Sequence, residues 1–454
     1  MEVFMSDVEA FIALNRFGLG AGPGDLEIVT EDPAQWLRSQ IRADAAIASR
    51  LNAFGSSSDI VKDIFEARMT SDKGLIKEVK KKYNKKFRIE VAARMQHAVQ
   101  STTPFAERMV AFWSNHFTVS RTKAVTGPIL PAFEREAIRP HVFGKFDDML
   151  QAVTGHVAML SYLDNVVSVG KNSRLGKRRN KSMNENLARE ILELHTLGVN
   201  GGYTQKDVME FAKALTGWSF GGYRNRKNKK RRAVHGGFEF NSAIHEPGVK
   251  SILGKTYHEG GVNEAKRILT DLALHRSTAN FIATKLVRHF VNDDPPPSAI
   301  RKIERVFFNS GGDLKEVSQA LISLEEVWQE PLPKVKTPYE MAVSVLRAVD
   351  GTRVPPNLLA KGLTSMGHSP FNAPSPAGWP DVASHWLSPE ALMRRVEWVR
   401  TISTRLPATM DPTRLLAQTV APVASGQLRD MISGAPTTDV GIALLFASAE
   451  FQRR

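Results

Sequence analysis

Between Glu185 and His195 the sequence concentrates groups that could carry chemistry. On a helix turning about 100° per residue, Glu185, Asn186, Arg189, Glu190 and Glu193 share an arc of about 140°. His195 falls outside that arc, among Leu187, Ala188, Ile191 and Leu192. Two further segments end in polar tips. Asn115-His116 closes an apolar stripe of Phe105, Met109, Phe112, Trp113 and Phe117, and Asp164-Asn165 follows the run from Met159 to Leu163. Carboxylates, amides and imidazoles without thiols suit a hard or borderline divalent ion such as magnesium, calcium or manganese. They equally suit general acid–base work where burial shifts their pKa values. The roles this suggests are Glu190, Glu193, His195 and His116 as catalytic groups, Arg189, Asn186 and Asn115 as substrate-binding groups, and Asp164, Asn165 and Glu185 as metal ligands. A structural reading competes: Glu185, Arg189 and Glu193 at i, i+4 and i+8 form a solvated ion-pair ladder, and a histidine on an apolar arc is a core residue bonded to a carbonyl.

Other features narrow the classes. Cysteine is absent, which removes disulfides, zinc-thiolate sites, iron–sulfur clusters and thiol nucleophiles. Gly18 to Gly24 is glycine-rich but follows a helical segment and lacks the Gly-Lys-Ser/Thr end of a phosphate-gripping loop, so it reads as a turn. The formal charge is +14, and two acid-free runs carry most of it. One lies within 171–182 (Lys171, Arg174, Lys177, Arg178, Arg179, Lys181) and one within 224–232 (Arg224, Arg226, Lys227, Lys229, Lys230, Arg231, Arg232). An anionic ligand or partner is sought there, whereas sequence-specific nucleic-acid recognition is disfavoured because neither run sits on a recognition helix or zinc finger.

These groups have to be positioned by helices. Apolar residues recur at three-to-four spacing between caps and glycine stops, which predicts an all-α, multi-helical globular fold. A hairpin is expected, with a Ser182-Glu185 capping box opening a helix that stops at Gly198, and Thr204 and Asp207 opening its partner, closed by Gly217. Asp293 to Pro297 breaks a helix, and Thr337-Pro338-Tyr339-Glu340 starts another. The chain of 454 residues divides in this reading into a main helical domain, 1–330, and a C-terminal lobe, 331–454, packed on it or continuous with it. No stretch reaches the ~20 apolar residues of a membrane span, and Met1 to Ala21 lacks the pattern of a signal peptide. A cytoplasmic location is therefore expected, with a periplasmic or exported one as the alternative.

The order of motifs resembles the bacterial family known as domain of unknown function 1800. The carrying residues are Leu14-Asn15-Arg16-Phe17-Gly18-Leu19-Gly20, Phe112-Trp113-Ser114-Asn115-His116-Phe117, Tyr162-Leu163-Asp164-Asn165, Asn184-Glu185-Asn186 and Glu193-Leu194-His195-Thr196-Leu197-Gly198. They continue with Gly202-Tyr203-Thr204, Ala214 to Trp218, His245, Gly248, Lys250, Lys336-Thr337-Pro338, Gly378-Trp379-Pro380-Asp381 and Glu450-Phe451. The resemblance implies an all-α fold and a partner of the sulfatase- or phosphatase-like domain of unknown function 1501 family. The chain departs from the pattern at Ser114 and His156, where the family carries a histidine and an aspartate. Two functions are carried forward: an enzyme-like protein with a polar, metal-assisted site acting on an anionic phosphate, sulfate or carbohydrate-linked substrate, or a non-enzymatic binding protein using its basic loops.

Overall fold

A computed structural model describes residues 5–123, 126–179, 183–221, 235–351 and 356–454. Helix accounts for 63% of the chain and strand for 4%, so the fold is all-α. Sequence signals for helix starts recur as hydrogen bonds. The Thr204 hydroxyl accepts from the Asp207 N–H while Asp207 bonds back to Thr204, and Thr337 and Glu340 repeat the reciprocal box at the Pro338–Ala348 helix. Pro104 occupies the first turn of the Pro104–His116 helix, where its missing N–H costs nothing. Gly198 and Gly217, at φ 82° and 92°, end their helices in the left-handed region.

The hairpin's first helix differs from expectation at both ends. It begins at Asn186, Glu185 gives no side-chain cap, and Ser182 lies outside the described residues. So do residues 180–182 of the first basic run and the whole of the second, 224–232. After Glu190 the helix widens into a π turn, Ile191–His195, with the Leu197 N–H donating to Leu192 O at 3.0 Å. Two other π turns occur among the described residues, Ala13–Phe17 and Glu134–Ile138. Such turns often mark functional positions, because one extra residue per turn re-aims the side chains beyond it.

Two short antiparallel hairpins, Trp218–Phe220 with Phe238–Phe240 and Lys250–Ile252 with Lys255–Tyr257, are the sheets among the described residues. One buried apolar cluster runs from Ala10 to Phe451. Residues 334–336, set by the sequence near a lobe boundary, are tied to the far end of the chain, with Lys334 and Arg454 exchanging main-chain bonds of 3.1 and 2.9 Å. No helix among the described residues is long and apolar enough to cross a membrane.

Candidate functional site

Helices Lys73–Gln100, Pro104–His116, Arg276–Phe290 and Pro338–Ala348, with the loop 368–382, enclose a cavity of about 370 Å³. Its apolar lining comes from residues such as Val91, Met95, Phe112, Phe371 and Trp379, and its polar lining includes His116, Lys285, Arg288, His289, His368 and Asp381. The loop is held by a close approach. A Cβ on Gly378, at φ 85°, would stand 2.5 Å from Asn115 O, so only glycine fits. Asn115 then clamps the next residue, its Nδ2 donating to Trp379 O at 2.9 Å and its Oδ1 accepting from the Trp379 N–H at 2.7 Å. Two residues on, Asp381 faces the Arg276–Phe290 helix.

There Asp381 Oδ2 lies 2.6 Å from His289 Nδ1. A carboxylate only accepts, so Nδ1 carries the proton and Nε2 holds the lone pair. That Nε2 is buried without a partner among the described residues. Burial lowers the His289 pKa against the pull of Asp381, which keeps the ring neutral near pH 7. Burial would raise Asp381, but the hydrogen bond from His289 and the charges of Lys334 and Arg454 outweigh it and hold the carboxyl below its usual value. Lys334 fixes Asp381 from behind, donating to its main-chain oxygen at 2.9 Å while pairing with Asp293. The result is an oriented imidazole on a residue that lines the cavity, with one unspent nitrogen closed off from solvent, in the tautomer of a general base held by a carboxylate.

Lys285 sits one helical turn before His289. Its ammonium donates to His116 Nδ1 at 3.1 Å, which leaves His116 Nε2 to donate to the main-chain oxygen of His195 at 3.1 Å. Among the described residues no carboxylate lies within 4 Å of Lys285, and burial, with Arg288 adding repulsion, brings its pKa down to about 8. His116 is held well below its usual value by burial and then by Lys285 and His195. Burial and Lys285 bring His195 to about 3. His368, against Trp379 and Trp386, is brought to about 3 by burial, with Nδ1 unpartnered among the described residues.

Buried ion pairs support the walls. Glu340 pairs with Arg108 and lies 3.2 Å from Arg454, and despite burial these cations hold it far below the carboxylate range. On the other side Glu134, on a π turn, accepts from Arg94 at 2.6 Å and from Ser114 at 3.2 Å. Arg139 joins Glu134 to Glu107.

The sequence-selected residues separate. His116 and His195 come together, with ring centroids 6.2 Å apart, and His116 lines the cavity. Asn115 also lines it, but both ends of its amide are spent on Trp379. Glu185 pairs with Arg189 at 2.6 Å and accepts from Gln205, half-exposed, which is one rung of the expected ladder. Glu193 meets Tyr203 at 3.4 Å, while burial and then Glu193 raise the half-buried Glu190. Neither bonds to His116 or His195. Asn186 is exposed, with its N–H on Asn184. Of the suggested metal ligands, Asp164 is paired with Lys123 at 2.6 Å, buried Asn165 spends its amide on Leu215 O and Trp218 O, and Glu185 is engaged as above. Among the described residues no group of three or more His, Cys, Asp or Glu is placed to hold a metal ion.

Lys285, Arg288, His289 and His368 were not singled out from sequence, and Asp381 entered only as part of a motif. The signal available was local: Lys285 and His289 stand at i, i+4 on a helix whose buried face carries Ile282, Leu286 and Phe290. Polar groups one turn apart on such a helix need partners from elsewhere in the chain.

The chain belongs to the family described as Protein of unknown function (DUF1800), whose model matches residues 12–453. No curated protein and no solved structure matches it.

Proposed function

We propose that this DUF1800 chain is an acid–base enzyme that hydrolyses or transfers a group on an anionic substrate with an apolar body, and that His289 is its base. The observation that carries the reading is the buried, unpartnered Nε2 of an imidazole fixed by Asp381 at 2.6 Å. Once a small movement of the ring opens Nε2 to the cavity, it takes a proton from water as the water oxygen bonds to the electrophilic centre, and returns it to the leaving group as that bond breaks. Asp381 remains ionised and stabilises the imidazolium formed between the two steps. Lys285, which spends its ammonium on a neutral imidazole, holds the anionic oxygen, and Arg288 also lines the cavity. The apolar part of the substrate lies against Phe112, Phe371 and Trp379.

A panel of chromogenic aryl phosphates, aryl sulfates and carboxylate esters tests this. Turnover of at least one class is expected, lost by about 10²–10⁴-fold in His289→Gln, the range for removing a general base. Failure of the whole panel, or equal rates for wild type and variant, would sink it.

A further inference from the structure

The helix Lys73–Gln100 carries a third basic segment, apart from the two runs that dominate the net charge. From Lys73 to Arg88 there are eight Lys and Arg residues and one acid, Glu78. Lys73, Lys77, Lys80, Lys81, Lys85 and Arg88 are all exposed. At about 100° per residue they share an arc of about 140°, and the stripe rises about 22 Å. Among the described residues none of these six has a carboxylate within 4 Å; Lys82, on another side, is the one that pairs, with Asp63 at 2.9 Å. Arg121 extends the stripe, donating to Asn84 Oδ1 at 3.0 Å and lying 4.8 Å over the Phe87 ring. Val91 and Met95 fall on the same arc one and two turns further on, where that face becomes the cavity wall. The flank beside Lys80, with Tyr83 and Phe87, is buried in the protein.

We propose that this face binds the phosphate backbone of duplex nucleic acid without reading its sequence. Six aligned, uncompensated cations repel one another, and a row of phosphates relieves that repulsion while releasing counterions. A duplex is favoured over a single strand because no aromatic ring is exposed on the stripe for bases to stack on. It is favoured over a membrane because Leu75 and Ile89 are the large apolar residues exposed on this stretch, too little to seat a helix in a bilayer. With its other face packed, the helix lies along the backbone rather than entering a groove.

The test is fluorescence anisotropy of the full chain with a labelled mixed-sequence duplex of about 20 base pairs, titrated across about 50–200 mM salt. Binding whose logarithm falls linearly with log salt is expected, equal for a shuffled sequence and unchanged in His289→Gln, since the inference does not depend on the cavity. The triple variant Lys77→Ser, Lys81→Ser, Lys85→Ser, at exposed positions that leave the fold intact by circular dichroism, should bind at least about tenfold more weakly. Its salt slope should be shallower by about 2.7, at roughly 0.9 for each phosphate that the variant no longer neutralises. Absence of wild-type binding overturns the proposal. So does an unchanged slope in the triple variant, or capture by phosphatidylserine vesicles with no binding to the duplex.

Discussion

On the hairpin face, Glu185 accepts from Arg189 and Gln205, and Glu193 reaches Tyr203, so these two carboxylates are already engaged. In the cavity, His289 gives one nitrogen to Asp381 and keeps the other, and Lys285 reaches a neutral imidazole instead of a carboxylate. The hairpin has the greater density of charged groups along the sequence. The cavity has the greater reserve of unspent ones, and a ligand can use only what the fold has left free. Burial sets the energies apart as well: an exposed i, i+4 pair contributes about 0.3–0.5 kcal/mol, whereas a buried polar group without a partner costs about 1–3 kcal/mol until something binds it.

The sharpest way to break this contrast is to exchange the substitutions. His289→Gln should lower turnover by about 10²–10⁴-fold with little loss of thermal stability, and Glu185→Gln should leave turnover unchanged; the reverse pattern would move the site to the hairpin. Next in size is Glu340→Gln, which leaves Arg108 and Arg454 uncompensated in the interior and should cost about 3–5 kcal/mol in chemical denaturation. Gly378→Ala should cost about 1–3 kcal/mol, since its Cβ meets Asn115 O at 2.5 Å on a left-handed backbone. Because the loop carrying Asp381 must then shift, it should also lower turnover, which a purely structural loop would not do.

Acid should test the buried histidines of both regions. Burial holds His195 and His368 near 3 in the fold, against 6.5 when exposed. Between those values the unfolded chain binds protons that the folded chain does not, so their contribution is complete above about pH 6.5 and is lost as pH falls toward 3. The melting temperature should therefore decline from pH 6.5 to 5, above the range where most carboxylates titrate, and the decline should be shallower in His368→Phe. Smallest of all, Arg189→Gln should change stability by less than about 0.5 kcal/mol at neutral pH, and less still in high salt.

Much of the helical fold is legible in the sequence because its signals are local. Pro104, the Thr204-Asp207 and Thr337-Glu340 boxes and the stops at Gly198 and Gly217 act within one turn. The π turn at Ile191–His195 is not legible, since a regular wheel cannot show where one extra residue enters. His116 and His195 could be picked out as polar residues among apolar ones, but the His289–Asp381 pair spans 92 positions. It depends on Gly378 and Asn115 bringing a loop onto a helix end, a meeting with no periodicity to betray it. The carboxylates of the hairpin stood out for the opposite reason, because solvated helix faces display their charges at regular spacing.

The most direct measurement of the central claim is the protonation of His289, by long-range ¹H–¹⁵N correlation on histidine-labelled protein from pH 5.5 to 8, assigned with His289→Gln. The account predicts a neutral ring at pH 7 with the proton on Nδ1 and a bare Nε2. A ring protonated on both nitrogens at pH 7, or a neutral ring carrying its proton on Nε2, would contradict it.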